Sequence, residues 1–77
     1  MKQYVMRNHN FVEETWTLDF YIDGKFVESK DYYKEDIPSL WPEGWHRGFT
    51  DQDIAEHEKM LEGMKQVVQM MKDNKIS

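Results

Sequence analysis

The chain contains no cysteine, only two prolines and four glycines, and no apolar run near the roughly 18 residues that a membrane-spanning helix requires. Without cysteine there is neither a disulfide framework nor a thiolate metal site, the usual staples of a small scaffold. A chain of 77 residues must therefore rely on its core or on a second copy of itself, because a domain of this size buries only about 60% of its unfolded surface. The opening stretch MKQYVMRNHN lacks the apolar segment of a signal peptide. These absences predict one soluble, cytoplasmic domain over residues 1–77.

Basic charge is also scarce. Ten Lys and Arg stand against fifteen Asp and Glu, for a net charge of −5. The imbalance is concentrated: from Glu35 to Glu62 eight acids face only Arg47 and Lys59, a local net of −6. Phosphate contacts need a basic face, so nucleic acid is not expected as a direct partner, and without an apolar span no membrane is expected either. An acidic face suits a protein partner with a basic surface.

Motifs with a chemical mechanism are missing as well. There is no glycine-rich phosphate loop and no dinucleotide fingerprint. Near His46 in sequence the serine and threonine hydroxyls are Ser39 and Thr50, and Thr50 reads better as a helix cap. Of His9, His46 and His57, the last has Asp53 four residues before it, but a metal would need a further ligand such as His46 brought from the loop. No metal site, cofactor or catalytic residue is assigned, and the chain is expected not to be an enzyme.

Strand patterning is clear in WTLDFYIDGKFVESKDYY, two alternating runs joined by Asp23-Gly24. Asp-Gly supplies the positive φ angles of a type I′ turn, whose twist matches that of the flanking strands. Such a turn sets Ile22 against Lys25, Tyr21 against Phe26, Phe20 against Val27 and Trp16 against Asp31. It gathers Trp16, Leu18, Phe20, Ile22 and Val27 on one face, the expected core, and leaves Tyr32 on the other. One cost is apparent, since Asp19 then opposes Glu28. Upstream, KQYVMR reads as a further strand, with Asn8-His9-Asn10 as a polar turn before Phe11 and Val12. Because a lone hairpin is marginal, an antiparallel three-stranded meander over about 2–33 is predicted, with open edges that could pair with another copy.

From Thr50 the period becomes helical. Thr50 is a natural N-cap, Asp51, Asp53 and Glu56 suit the positive end of the helix dipole, and Lys72 and Lys75 suit the other. Ile54, Leu61 and Val68 form one seam, His57, Met64 and Met71 a second, and Met60 and Val67 widen the stripe. One long amphipathic helix over about 50–74 follows, packed across the sheet. At about 35 Å it outreaches a sheet of ordinary strands, so its C-terminal half lacks partners in one chain. Gly63 costs the helix interior up to about 1 kcal/mol relative to alanine, which either a close approach by another helix or plain tolerance at an exposed site would explain. A homodimer through Met64, Val67, Met70 and Met71 is therefore expected.

Between sheet and helix, residues 34–49 form a proline- and tryptophan-rich loop. Pro38 and Pro42 restrict Ile37 and Trp41 toward extended backbone. Ile37, Leu40, Trp41, Trp45 and Phe49 are too apolar to be exposed together, so Trp41 and Phe49 are expected to close the core. Trp45, His46 and Arg47 form the cluster richest in the residue types that dominate interfaces.

The fold class is thus α+β, and the function expected is that of a small acidic, non-catalytic protein-protein interaction module that modulates or inhibits a larger protein. Trp41, Glu43, Trp45, His46 and Arg47 would anchor the partner, with Glu56, Glu58 and Glu62 steering toward its basic surface. One version is a phage-type inhibitor that mimics nucleic acid in the groove of a nucleic-acid-processing enzyme. Two alternatives stand beside it: a nucleotide-like ligand stacked on the tryptophans between protomers, and a self-assembling structural subunit.

Overall fold

The computed structural model describes residues 1–60 and 65–76. Its class is α+β, with strands β1 Lys2–Asn10, β2 Thr15–Ile22 and β3 Lys25–Tyr33, a 3-10 helix Lys34–Leu40, strand β4 Trp45–Arg47, and helices α1 Asp51–Met60 and α2 Lys65–Asp73. The α+β class is as expected, but the predicted three-stranded meander is replaced by a four-stranded mixed sheet. The sheet order is β3-β2-β1-β4, with β2 antiparallel to both β1 and β3 and with β4 parallel to β1. A fourth strand, which the meander lacked, pairs with β1 and leaves it central.

The Asp23-Gly24 turn forms as its chemistry dictates, with φ of 51° and 80° and with Ile22 opposite Lys25 and Tyr21 opposite Phe26. Beyond those pairs the expected register fails. A bulge sets Phe20 opposite Glu28, Asp19 opposite Ser29 and Trp16 opposite Tyr32. The like-charge Asp19 and Glu28 pair is thereby avoided, and Ser29 Oγ instead donates to Asp19 at 2.5 Å. The shift also changes the core: Leu18 and Phe20 are buried, Tyr32 packs against them and Val27 is 51% exposed, while Ile22, whose pairing is as expected, is 41% exposed at the turn.

The first turn is displaced too. Asn8, His9 and Asn10 belong to β1, and the turn occupies residues 11–14. Asn10 accepts the Val12 and Glu13 N–H groups through Oδ1, the local bonding that favours asparagine at a turn's start. Phe11 and Val12 consequently ride exposed on the tip, and His9 stacks on Trp16 with ring centroids 4.2 Å apart.

What covers the core face of the sheet is the 3-10 helix. Ile37 and Leu40 are 5% and 4% exposed and cluster with Tyr4, Leu18 and Phe20. Ile37 is thus helical despite the proline that follows it, and Trp41 is right-handed at φ −66°, ψ −44°, not extended as Pro42 would favour. The burial of Ile37 and Leu40 offsets that local preference.

The long helix across the sheet is replaced by a pair. Lys75 Nζ meets Asp51 at 2.7 Å and Lys72 Nζ meets Glu58 at 3.2 Å, whereas one straight helix would hold residues 51 and 75 about 36 Å apart. The two helices are therefore antiparallel. They enclose their own cluster of Phe49, Ile54 and Met71, flanked by Val67 and Val68. Leu61, Glu62, Gly63 and Met64 lie outside the described residues, as does the core role expected of the Met60 side chain.

Thr50 caps α1 as expected, and reciprocally: Asp53 N–H donates to Thr50 Oγ1 at 3.1 Å and Thr50 N–H to Asp53 Oδ2 at 3.0 Å, a capping box with aspartate in the acidic position. The chain end returns to this point. Phe49 N–H donates to the Asn74 carbonyl and Ile76 N–H to the Phe49 carbonyl, and Gln3 Nε2 reaches the same Asn74 carbonyl at 3.0 Å. Gly48 allows the close approach. A Cβ there would stand 2.5 Å from Ile76 Cδ1 and 3.0 Å from Gln3 Nε2.

On the reverse face of the sheet Asp19 receives Arg7 Nε at 2.7 Å as well as the Ser29 hydroxyl. Burial alone would raise the Asp19 carboxyl, but the hydrogen bonds from Arg7 and Ser29, with the Arg7 charge, hold it below its usual value. A depressed carboxyl stabilises the fold above its unfolded pKa, near 3.9, and that contribution disappears as pH falls through the folded pKa. Urea midpoints measured between pH 2 and 5 are accordingly expected to fall less steeply for Asp19→Asn than for the parent chain. Parallel acid limbs would show that Asp19 contributes nothing.

Candidate binding groove

A cavity of about 500 Å³ opens between the 3-10 helix and β4. Three parts of the chain build it. From β1 come Tyr4 and Met6, from the 3-10 helix and its exit Lys34, Ile37, Pro38 and Trp41, and from β4 Trp45, His46 and Arg47. The pairing of β4 with β1 is what brings the third group in: Lys2 opposes Trp45, Gln3 opposes His46 and Tyr4 opposes Arg47. Paired residues share a sheet face, so Trp45 and Arg47 stand on the face of Tyr4. His46 lines the wall from a position whose side chain alternates to the face of Gln3.

Each indole is held by a partner. Trp41 Nε1 donates to Tyr4 OH at 2.9 Å, although Trp41 is 58% exposed. Trp45 packs edge-on against Phe20 with centroids 4.9 Å apart, and Lys2 Nζ lies 5.4 Å from its ring centre. Arg47 lies over the Phe49 ring at 4.9 Å. The groove therefore combines an apolar, aromatic floor with two cations, Lys34 and Arg47, and among the described residues no acid lines it.

Arg47 also borders a second cavity of about 270 Å³ against the helices, lined among others by Phe49, Asp53, Glu56 and His57. Asp53 is occupied by the capping box. Among the described residues no group of three or more His, Cys, Asp or Glu could hold a metal ion.

The expected anchors thus divide. Trp41, Trp45, His46 and Arg47 meet in one groove. Glu43 is exposed in the adjoining turn, its carbonyl accepting from Lys2 at 3.4 Å, but does not line it. Glu56 borders the second cavity and Glu58 is paired with Lys72. Of the residues assigned to a dimer contact, Met71 is buried and Val67 packs against its cluster, while Met70 is 50% exposed. Folding back of the helices gives that half the partners it lacked in an extended helix.

Tyr4, Met6, Lys34 and Pro38 were not marked by the sequence as site residues. Lys34 carries the one available signal, an isolated base ahead of the acidic stretch. No helix among the described residues is long and apolar enough to cross a membrane. No family model, no curated protein and no solved structure matches the chain.

Proposed function

We propose that the chain is a non-catalytic interaction module that grips a segment of a larger protein in the groove between the 3-10 helix and β4, and so modulates or inhibits it. The observation that carries this reading is Trp41: a large aromatic surface, 58% exposed, at the mouth of an apolar groove and fixed there by the Tyr4 hydroxyl. A side chain already held in place loses little freedom on binding, and Trp, Tyr and Arg are the types that dominate interface energetics. Trp45 and Arg47 provide two more such contacts.

Local charge defines the segment. Lys34 and Arg47 line the groove and, among the described residues, no acid does, so the charges that meet an occupant directly are positive. An acidic, partly apolar segment fits. A basic partner surface, as in the nucleic-acid-mimic version, has less support, because Asp51 and Glu58 are already paired with Lys75 and Lys72.

A small anionic aromatic ligand is the second reading. It is favoured by the volume of about 500 Å³, within the range of about 300–1,000 Å³ usual for small-molecule sites, and by the two indoles beside two cations. The site in that case lies within one chain.

The test compares the parent chain with Lys34→Glu/Arg47→Glu as baits in quantitative affinity purification, with circular dichroism as the folding control. A partner retained by the parent and lost at least tenfold by the folded double variant is expected. An identical set of captured proteins would reject the groove as the working surface. Quenching of tryptophan fluorescence by nucleotides alone, abolished in the double variant, would replace the lead reading with the second.

A further inference from the structure

The outer edge of the sheet is β3, nine residues from Lys25 to Tyr33 with no proline, paired among the described residues with β2 on one side only. Phe26, Val27 and Tyr33 on this strand are 58%, 51% and 57% exposed. A long free edge with apolar side chains is a template for another strand. We infer that β3 pairs antiparallel with β3 of a second copy of this chain, about a two-fold axis at Ser29, joining two four-stranded sheets into one of eight.

The occupant and its register follow from charge and hydrogen bonding together. Ser29 is the midpoint of Lys25–Tyr33, so this is the one antiparallel register that overlaps all nine residues. It sets Glu28 of each copy opposite Lys30 of the other. Shifting the axis to Glu28, Lys30 or Asp31 instead brings two glutamates, two lysines or two aspartates face to face, which is destabilising. The ladder agrees. A two-residue turn is closed by a hydrogen-bonded pair, here Ile22 and Lys25; alternating along the observed register and through the bulge gives Asp19 and Ser29 the non-hydrogen-bonded position, whose N–H and C=O groups turn to the free side. Ser29 can therefore exchange both bonds with its counterpart at the axis. Glu28 and Lys30 then sit in the adjacent close pairs, where opposite charges count most.

Within one chain Lys30 Nζ already meets Glu28 at 3.2 Å, with both side chains about half exposed. An exposed pair of this kind contributes little to the fold, so reversing either charge leaves the protomer intact. In the dimer the two pairs become a square of alternating charge. The other edge, β4, is only three residues long.

Sedimentation velocity of the full chain from low micromolar to several hundred micromolar, with circular dichroism as folding control, tests this. The parent chain is expected to dimerise, more weakly at high salt. Glu28→Lys and Lys30→Glu, each alone, place like charges across the axis and are expected to weaken association at least tenfold. Mixed in equal amounts, the two variants have complementary edges, and a heterodimer should reappear. A parent chain that stays monomeric throughout overturns the inference. So do folded variants that dimerise as the parent does, which would place the contact elsewhere, for instance around Met70, and so does a mixture that remains monomeric.

Discussion

Phe49→Ala is expected to cost about 3–5 kcal/mol and to release the helical pair while the sheet persists. Phe49 is 7% exposed and, among the described residues, shares its cluster with two other buried ones, Ile54 and Met71. Its backbone bonds to Asn74 and Ile76 survive the substitution, but they fix only the ends of the pair. Helices α1 and α2 have ten and nine residues, below the about 12–15 at which an isolated helix is even marginal in water. Each therefore depends on the other and on the ring between them. Leu18, Phe20, Tyr4, Ile37 and Leu40 belong to the other cluster and lose nothing directly. Amide exchange should show α2 unprotected with β1 and β2 still protected, and the helical circular dichroism signal should fall at temperatures where the tertiary signal of the tryptophans holds. Simultaneous loss of protection in both regions would mean that the two clusters fold as one cooperative unit.

That division into two clusters was not legible in the sequence. A single apolar stripe runs from Ile54 to Met71 at helical spacing, and periodicity is the same whether a helix continues or doubles back. What decides the matter is long-range: Asp51 with Lys75, Glu58 with Lys72, and Ile54 with Met71 around Phe49. Local chemistry fared better. The Asp23-Gly24 turn and the Thr50 cap were readable because each depends on residues adjacent in the chain. The bulge was not, because the choice of Ser29 as the partner of Asp19 also involves Arg7 from β1. Strand β4 was hidden for another reason, since three residues are too few to show alternation.

The groove divides along the same line. Trp41, Trp45 and Arg47 stood out because tryptophan and arginine are unexpected between proline and glycine in an acidic stretch. Tyr4 and Lys34 could not stand out, since their role exists only once β4 lies against β1 and the 3-10 helix crosses the sheet face. Even the notable exposure of Trp41 depends on a hydroxyl 37 positions away.

Leu18→Ala is the substitution expected to endanger the whole fold. Leu18 is 0% exposed, sits in the second strand of the sheet between Met6 of β1 and Lys30 of β3, and is enclosed by Tyr4, Phe20, Ile37 and Leu40. Truncating a leucine in such a site costs about 2–5 kcal/mol, with the upper part of the range reached where the surroundings cannot collapse. Here the walls are two aromatic rings and a 3-10 helix braced by Pro38, so little collapse is available. At about 0.05–0.15 kcal/mol per residue a chain of this length has about 4–12 kcal/mol in total, and the loss is a large share of it. Ile22 supplies the control, because sequence alternation alone places it on the same face as Leu18 but it is 41% exposed at the turn. Ile22→Ala is expected to cost less than about 1 kcal/mol. Urea denaturation of the two variants distinguishes the readings: a midpoint for Leu18→Ala far below that of Ile22→Ala follows from the observed packing. Equal midpoints would return both residues to one continuous apolar face and contradict the end of the core before Ile22.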